Sequence, residues 1–198
     1  MSQPTSPTQN TVLPPPSRLR NAPERWGLVA VAFHWLMALT ILGLFGLGLW
    51  MTGLTYYDPW YKQGPNLHKS IGVVLLLILF ARLAWRTLDR TPDPVPGHTR
   101  WERKAAHAVH GVLYLGLFAV MISGYLISTA DGRAVSVFGL FDVPATVTSI
   151  EKQEDIAGLV HLWLAVALIS TAAVHALAAL KHHVIDKDTT LKRMFARS

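Results

Sequence analysis

His161 and His175 stand 14 positions apart in Ile156–Leu180, a 25-residue run that carries no formal charge. In a helix, 14 steps of ~100° come back to within about 40° of the starting direction and advance ~21 Å. Both imidazoles therefore leave one stripe, one near each end of the run. At ~1.5 Å per residue the run is long enough to cross the hydrocarbon core of a bilayer. Ionisable groups at that depth are costly and usually functional. An imidazole there can ligate haem iron or another metal ion, or simply hydrogen-bond a neighbouring helix. Iron held by two imidazoles needs the second one at the same depth on a different helix, so the rest of the chain decides between these readings.

Only 15% of the 198 residues are charged and 51% are hydrophobic, against a usual charged share of ~25%. Mean hydropathy is +0.32 although the first 25 residues are polar. An ordinary soluble domain is excluded, and several spans in one membrane domain are expected. The absence of cysteine rules out disulfides, iron–sulfur clusters and thiolate haem ligation.

Residues 1–25, with Pro14, Pro15 and Pro16 in a row, are expected to form a disordered tail, because they hold too little apolar area to offset ordering. They lack the basic start and apolar core of a signal peptide. Residues 26–198 form the transmembrane domain. Its first span runs from about Leu28 to Met51 and contains His34. Trp26 flanks one end, and Trp50, Tyr56, Tyr57 and Trp60 the other, as interfacial aromatic belts do. The second, about Leu67 to Leu88, crosses only if it includes His68 and Lys69 at one end and Arg82 and Arg86 at the other. Its uncharged part, Ser70–Ala81, is short for a span. A proline-marked loop precedes the third span, about Ala105 to Ser128, which opens with His107 and His110. A polar loop with an apolar, interface-seeking stretch at Val135–Val143 leads to the fourth span. The fold class expected is all-α and integral to the membrane, a four-helix up-down bundle.

Four spans place both termini on one side, and 14 of the 18 Lys and Arg residues fall on that side. The positive-inside rule makes it the cytoplasm, so the net charge of +6 reflects topology and not nucleic-acid binding. His34, His107, His110 and His175 then lie toward the cytoplasmic side, and His68 and His161 toward the outer side. Depth-matched imidazoles on different helices suit two b-type haems stacked across the bilayer. At the inner level His175 has His34, His107 and His110 as possible partners. No C-x-x-C-H signature is present, so such haems are non-covalent. Gly72 and Gly158, on the histidine faces, leave room for a ring or serve close helix packing. Lys69, Arg82 and Arg86 could pair with propionates or snorkel. His98, His182 and His183 fall in loop or interface, where solvation is expected.

The segments FHWL, LHKSIG, AHAVHGVLYL, VHLWLA through VHALAALKHH, and DTTLKRM, in this order and spacing, resemble the bacterial cytochrome b561 family. That dihaem group also includes cytochrome b subunits of hydrogenases. The resemblance spans about Arg25 to Met194. It implies that His34 and His175 hold the cytoplasmic haem iron and His68 and His161 the outer one, and so prefers His34 to His110. The compact branch of the family resembles superoxide oxidase, which implies an oxidoreductase that takes electrons from superoxide outside and gives them to ubiquinone near the inner haem. Lys62, Lys69 and Arg133 would draw the anion in, and His182 and Arg86 would line the quinone pocket. A bacterial inner-membrane protein with both termini cytoplasmic is expected. Two other functions fit the residues. One is a cytochrome b subunit that links a dehydrogenase or hydrogenase to quinone. The other is a non-redox module for metal or haem transport, or an assembly anchor, although no carboxylate lies in any span.

Overall fold

The computed structural model describes residues 17–195. Four long helices dominate: α1 (Leu28–Met51), α2 (Gln63–Leu88), α3 (Arg100–Ser128) and α4 (Gln153–Val184). Each is long and apolar enough to span a membrane, at ~36 to ~48 Å against a core of about 30 Å. The second span is thus one continuous helix despite its charged ends. α2, α3 and α4 all begin before the apolar windows that mark them, because backbone hydrogen bonding continues past the bilayer edge. The start of α3 shows the cause. Thr99 accepts from the Glu102 amide at 3.2 Å, and Glu102 reaches back to the Thr99 amide at 2.9 Å, a capping box that satisfies two otherwise orphaned donors.

Neighbours in sequence run antiparallel. α1 packs along α2 and α3 along α4, while contacts between α2 and α3 and between α1 and α4 close the ring. The core sits at mid-height, where Met37, Leu44, Leu75, Leu79, Leu117 and Leu168 form one buried cluster. Leu168 lies midway between His161 and His175, so an apolar layer separates the two ends of the bundle. The helices form an up-down bundle with both ends of the described chain on one side, called here the terminal side.

On the far side, Val135–Val143 folds into an antiparallel hairpin of β1 (Val135–Val137) and β2 (Phe141–Val143). Phe138 and Gly139 both adopt positive φ, 52° and 71°, and Leu140 donates to the Val137 carbonyl at 2.9 Å. A turn of this hand matches the twist of paired strands. Val135 and Val137 are buried, and Ser70 on α2 accepts from the Phe138 amide at 3.1 Å. Phe138, Leu140 and Phe141 remain exposed at the tip. Alternating inward valines, too short a run for a clear period, are what composition alone could not resolve into strands.

The expected tail lies outside the described residues as far as residue 16. Residues 17–25 are among those described and pack against the start of α1 and the end of α2. Asn21 is buried; its Oδ1 accepts from the Gly27 amide at 2.7 Å and its Nδ2 donates to the Arg90 carbonyl at 2.7 Å. Gly27 has no room for a side chain, since a Cβ would meet the Leu19 and Arg20 carbonyls. One amide thereby ties the entry of α1 to the exit of α2. Asn21→Ala leaves a buried donor and acceptor unpaired and is expected to cost about 1–3 kcal/mol. A lower thermal midpoint in detergent, with Asn21→Asp falling between the two, is the check.

Candidate functional site

The expected histidines gather at two heights. On the far side, the rings of His68 (α2) and His161 (α4) face each other with centres 6.2 Å apart and planes at 72°. On the terminal side, His34 (α1) and His175 (α4) stand 6.3 Å apart at 63°. His110 is nearer to His175, at 5.1 Å. His107 is turned onto its own helix, where Nδ1 meets the Arg103 carbonyl at 2.7 Å, as suits a packing residue.

His161 shows how one ring is held. Its Nδ1 lies 3.0 Å from the Val120 carbonyl and 3.0 Å from Ser123 Oγ. A carbonyl only accepts, so Nδ1 carries the proton and Nε2 keeps its lone pair. Ser123 donates to the same carbonyl at 2.9 Å and accepts from the ring. Fixing the tautomer through the second nitrogen is how metal-binding histidines are oriented. Opposite it, His68 Nδ1 is buried with no hydrogen-bond partner among the described residues.

Two glycines make these positions possible. A Cβ on Gly124 would come within 3.1 Å of His161 Cε1, and one on Gly48 within 3.3 Å of His68 Cε1. By contrast, a Cβ on Gly72 or Gly158 would have no described atom within 4 Å, so neither serves close helix packing. The residue types at these heights follow one spacing. His34 and Gly48, His68 and Arg82, His110 and Gly124, and His161 and His175 are each separated by 14 positions. Every helix therefore places one residue at each height: Gly48, His68, Gly124 and His161 on the far side, and His34, Arg82, His110 and His175 on the terminal side. That recurrence is readable in the sequence and would have found Gly48 and Gly124. Ser123 carries no such signal, because it acts only through the neighbouring ring.

Arg82 and Arg86 converge on Tyr114. Arg82 Nε donates to its hydroxyl at 2.9 Å, and the two guanidinium carbons lie 5.8 and 5.9 Å from its ring centre. Arg82, partly buried and hydrogen-bonded, thus sits inward near the terminal-side histidines, whereas Arg86 is exposed and lies over the same ring. His98 and His182 depart from the solvated role expected of them. Their side chains are 17% and 15% exposed, and their rings stack at 4.5 Å. His183 Nδ1 is likewise buried. The C-terminal segment folds back over this end, with Trp35 Nε1 donating to the Met194 carbonyl at 2.7 Å. Far-side charges are more exposed. Arg133 pairs with Asp131 at 2.5 Å, and its hydrogen bonds hold that carboxyl below its ordinary range.

Facing imidazoles at two heights of a four-helix membrane bundle are the donor arrangement of a membrane cytochrome. The family model for prokaryotic cytochrome b561 matches residues 25–197, and the chain belongs to that family. It is 53% identical to cytochrome b561 homolog 2 of Escherichia coli (strain K12) over 178 residues, covering 90% of this chain and 95% of that protein. It is 30% identical to the probable superoxide oxidase CybB of Yersinia pestis over 175 residues, 88% and 97% of the two chains. Cytochrome b561 homolog 1 of Escherichia coli is 27% identical over 185 residues, 88% and 98%. The chain is accordingly a multi-pass bacterial membrane protein whose family binds b-type haem and transfers electrons across the membrane.

The geometry fits such a group. Imidazole nitrogen binds a metal ion at about 2 Å, so two rings facing across one ion have centres about 6 Å apart, as both cross-helix pairs do. Gly124→Leu is expected to push the His161 ring aside and lower the haem-to-protein ratio of the purified protein. Gly43→Ala, with no described atom within 4 Å of the new Cβ, should leave that ratio unchanged.

Proposed function

We propose that this chain moves single electrons between two b-type haems, oxidising superoxide on the far side and reducing ubiquinone on the terminal side. The observation that carries the reading is the pair of cross-helix imidazole contacts, 6.2 and 6.3 Å between centres, at two heights separated by a leucine layer. In this reading His68 and His161 hold one iron, and His34 and His175 the other. The haems, when bound, supply one-electron carriers near each face. His110, at 5.1 Å from His175, is too close for an ion between them and packs beside the ring.

The chain's residues have distinct parts in this scheme. Val120 and Ser123 hold the proton on His161 Nδ1 and present Nε2. Arg82 and Arg86 offer positive charge on the terminal side, where propionates would find paired donors. The positive-inside distribution puts that side in the cytoplasm and the protein in the inner membrane. At the outer face superoxide loses one electron and leaves as dioxygen; two such electrons and two cytoplasmic protons convert ubiquinone to ubiquinol. Lys62 and Lys69 supply the attracting field, since Arg133 is largely offset by Asp131. His182 and Arg86 line the quinone pocket. The similarity to a relative named superoxide oxidase supports the choice of donor.

Single substitutions separate the ligand pairs. His161→Ala or His68→Ala is expected to remove one haem and spare the other, His34→Ala or His175→Ala the converse, and His110→Ala neither. The readout is haem per chain with the split of the reduced-minus-oxidised spectrum, and loss of a haem in His110→Ala would reassign the inner ligand. For the reaction, superoxide generated anaerobically should reduce the purified protein and added ubiquinone should reoxidise it. His182→Ala should slow reoxidation at least tenfold. Reoxidation at the wild-type rate would remove His182 from the pocket. Failure of superoxide to reduce the protein, with a stoichiometric redox partner co-purifying, would favour the subunit role instead.

A further inference from the structure

Outside the two histidine levels, ligating atoms also gather around His182, in two overlapping groups among the described residues, His98 with Asp188 and Glu102 with Asp186. His98, in the loop between α2 and α3, places Nε2 2.8 Å from Asp188 Oδ2. His182, in the last turn of α4, places Nδ1 3.2 Å from the same oxygen. One ligand atom from each of these three residues lies within 4.8 Å of the other two, and all three residues are partly buried. His182 Nδ1 is the odd atom. It is buried and lies 2.8 Å from Asp186 Oδ2 as well, yet no oxygen sits where its N–H would aim, and it makes no hydrogen bond among the described residues. A hydrogen-bonded histidine would point its proton at a carboxylate. A nitrogen that converges on carboxylate oxygens without doing so is placed as a ligand.

We propose that His98, His182 and Asp188 form a binding site for a divalent transition-metal ion of the zinc class. Two imidazoles and a carboxylate suit zinc, whose sites commonly take three protein ligands and one water. Nitrogen–oxygen edges of 2.8 and 3.2 Å are near the edge of a tetrahedron with bonds of about 2 Å. Asp186 stands next to the site but is engaged by Lys181, whose Nζ lies 2.6 Å from it and 3.3 Å from Glu102, so it is not counted as a ligand. Thr190 orients Asp188: its amide donates to Asp188 Oδ1 at 2.8 Å, leaving Oδ2 for the ion, while its hydroxyl lies 3.4 Å from His98 Nε2. The ion takes the Nδ1 of His182 and leaves Nε2 available, so the site stands whether or not His182 lines a quinone pocket. Bound there, it would fasten the chain after α4 to the loop before α3.

The test uses the full-length, untagged, haem-loaded protein after dialysis against a chelator. With zinc chloride as the probe, one zinc per chain is expected to survive desalting, and the thermal midpoint should rise. His98→Ala and Asp188→Asn should each weaken zinc binding at least tenfold and abolish the rise, with an unchanged haem spectrum reporting that the variants are folded. Asp186→Asn should keep the zinc. The proposal is overturned if the wild type retains none, or if both ligand variants retain as much as it does. Since zinc content is read by metal analysis, the outcome is independent of superoxide or quinone activity.

Discussion

The cost of holding imidazole in a membrane interior governs this molecule. A neutral ring brings one donor and one acceptor nitrogen into a medium that satisfies neither. His161 meets the cost on one side, through Val120 and Ser123 on the adjacent helix, and is left with a free lone pair turned to the bundle. Gly124 beside His161 and Gly48 beside His68 leave the room those rings need. Each helix contributes to both levels, so none can shift along its axis without disturbing two sites at once.

Much of this was legible in residue types. Charge asymmetry and four apolar windows gave the number of spans and their alternation, because a bilayer permits few alternatives. The span containing His34 was recovered with both ends, since Gly27 and Thr52 bound an unbroken apolar run. Depth matching identified which histidines could meet: His68 lies beside His161, and both His34 and His110 lie beside His175.

Other features were hidden for stated physical reasons. The proline-rich start concealed a packed piece at residues 17–25, because its packing depends on one buried asparagine whose partners, Gly27 and Arg90, lie up to 69 positions away. The hairpin at Val135–Val143 depends on Ser70 and on packing against α2, neither of which local composition reveals. His98 and His182 read as solvated because hydropathy is blind to a C-terminal segment that folds back over them.

The leucine layer at mid-height has an energetic consequence of its own. Leu44, Leu75, Leu79, Leu117 and Leu168 offer no group to which water or a proton could bind. Electrons can tunnel through such a layer, whereas protons cannot follow them. Each electron crossing between levels therefore carries uncompensated charge through the membrane field, worth about 2.3 kcal/mol per 100 mV for a full crossing. Passage toward a negatively charged interior must be driven uphill by the difference in potential between donor and acceptor, and a more strongly energised membrane will hold the traffic back.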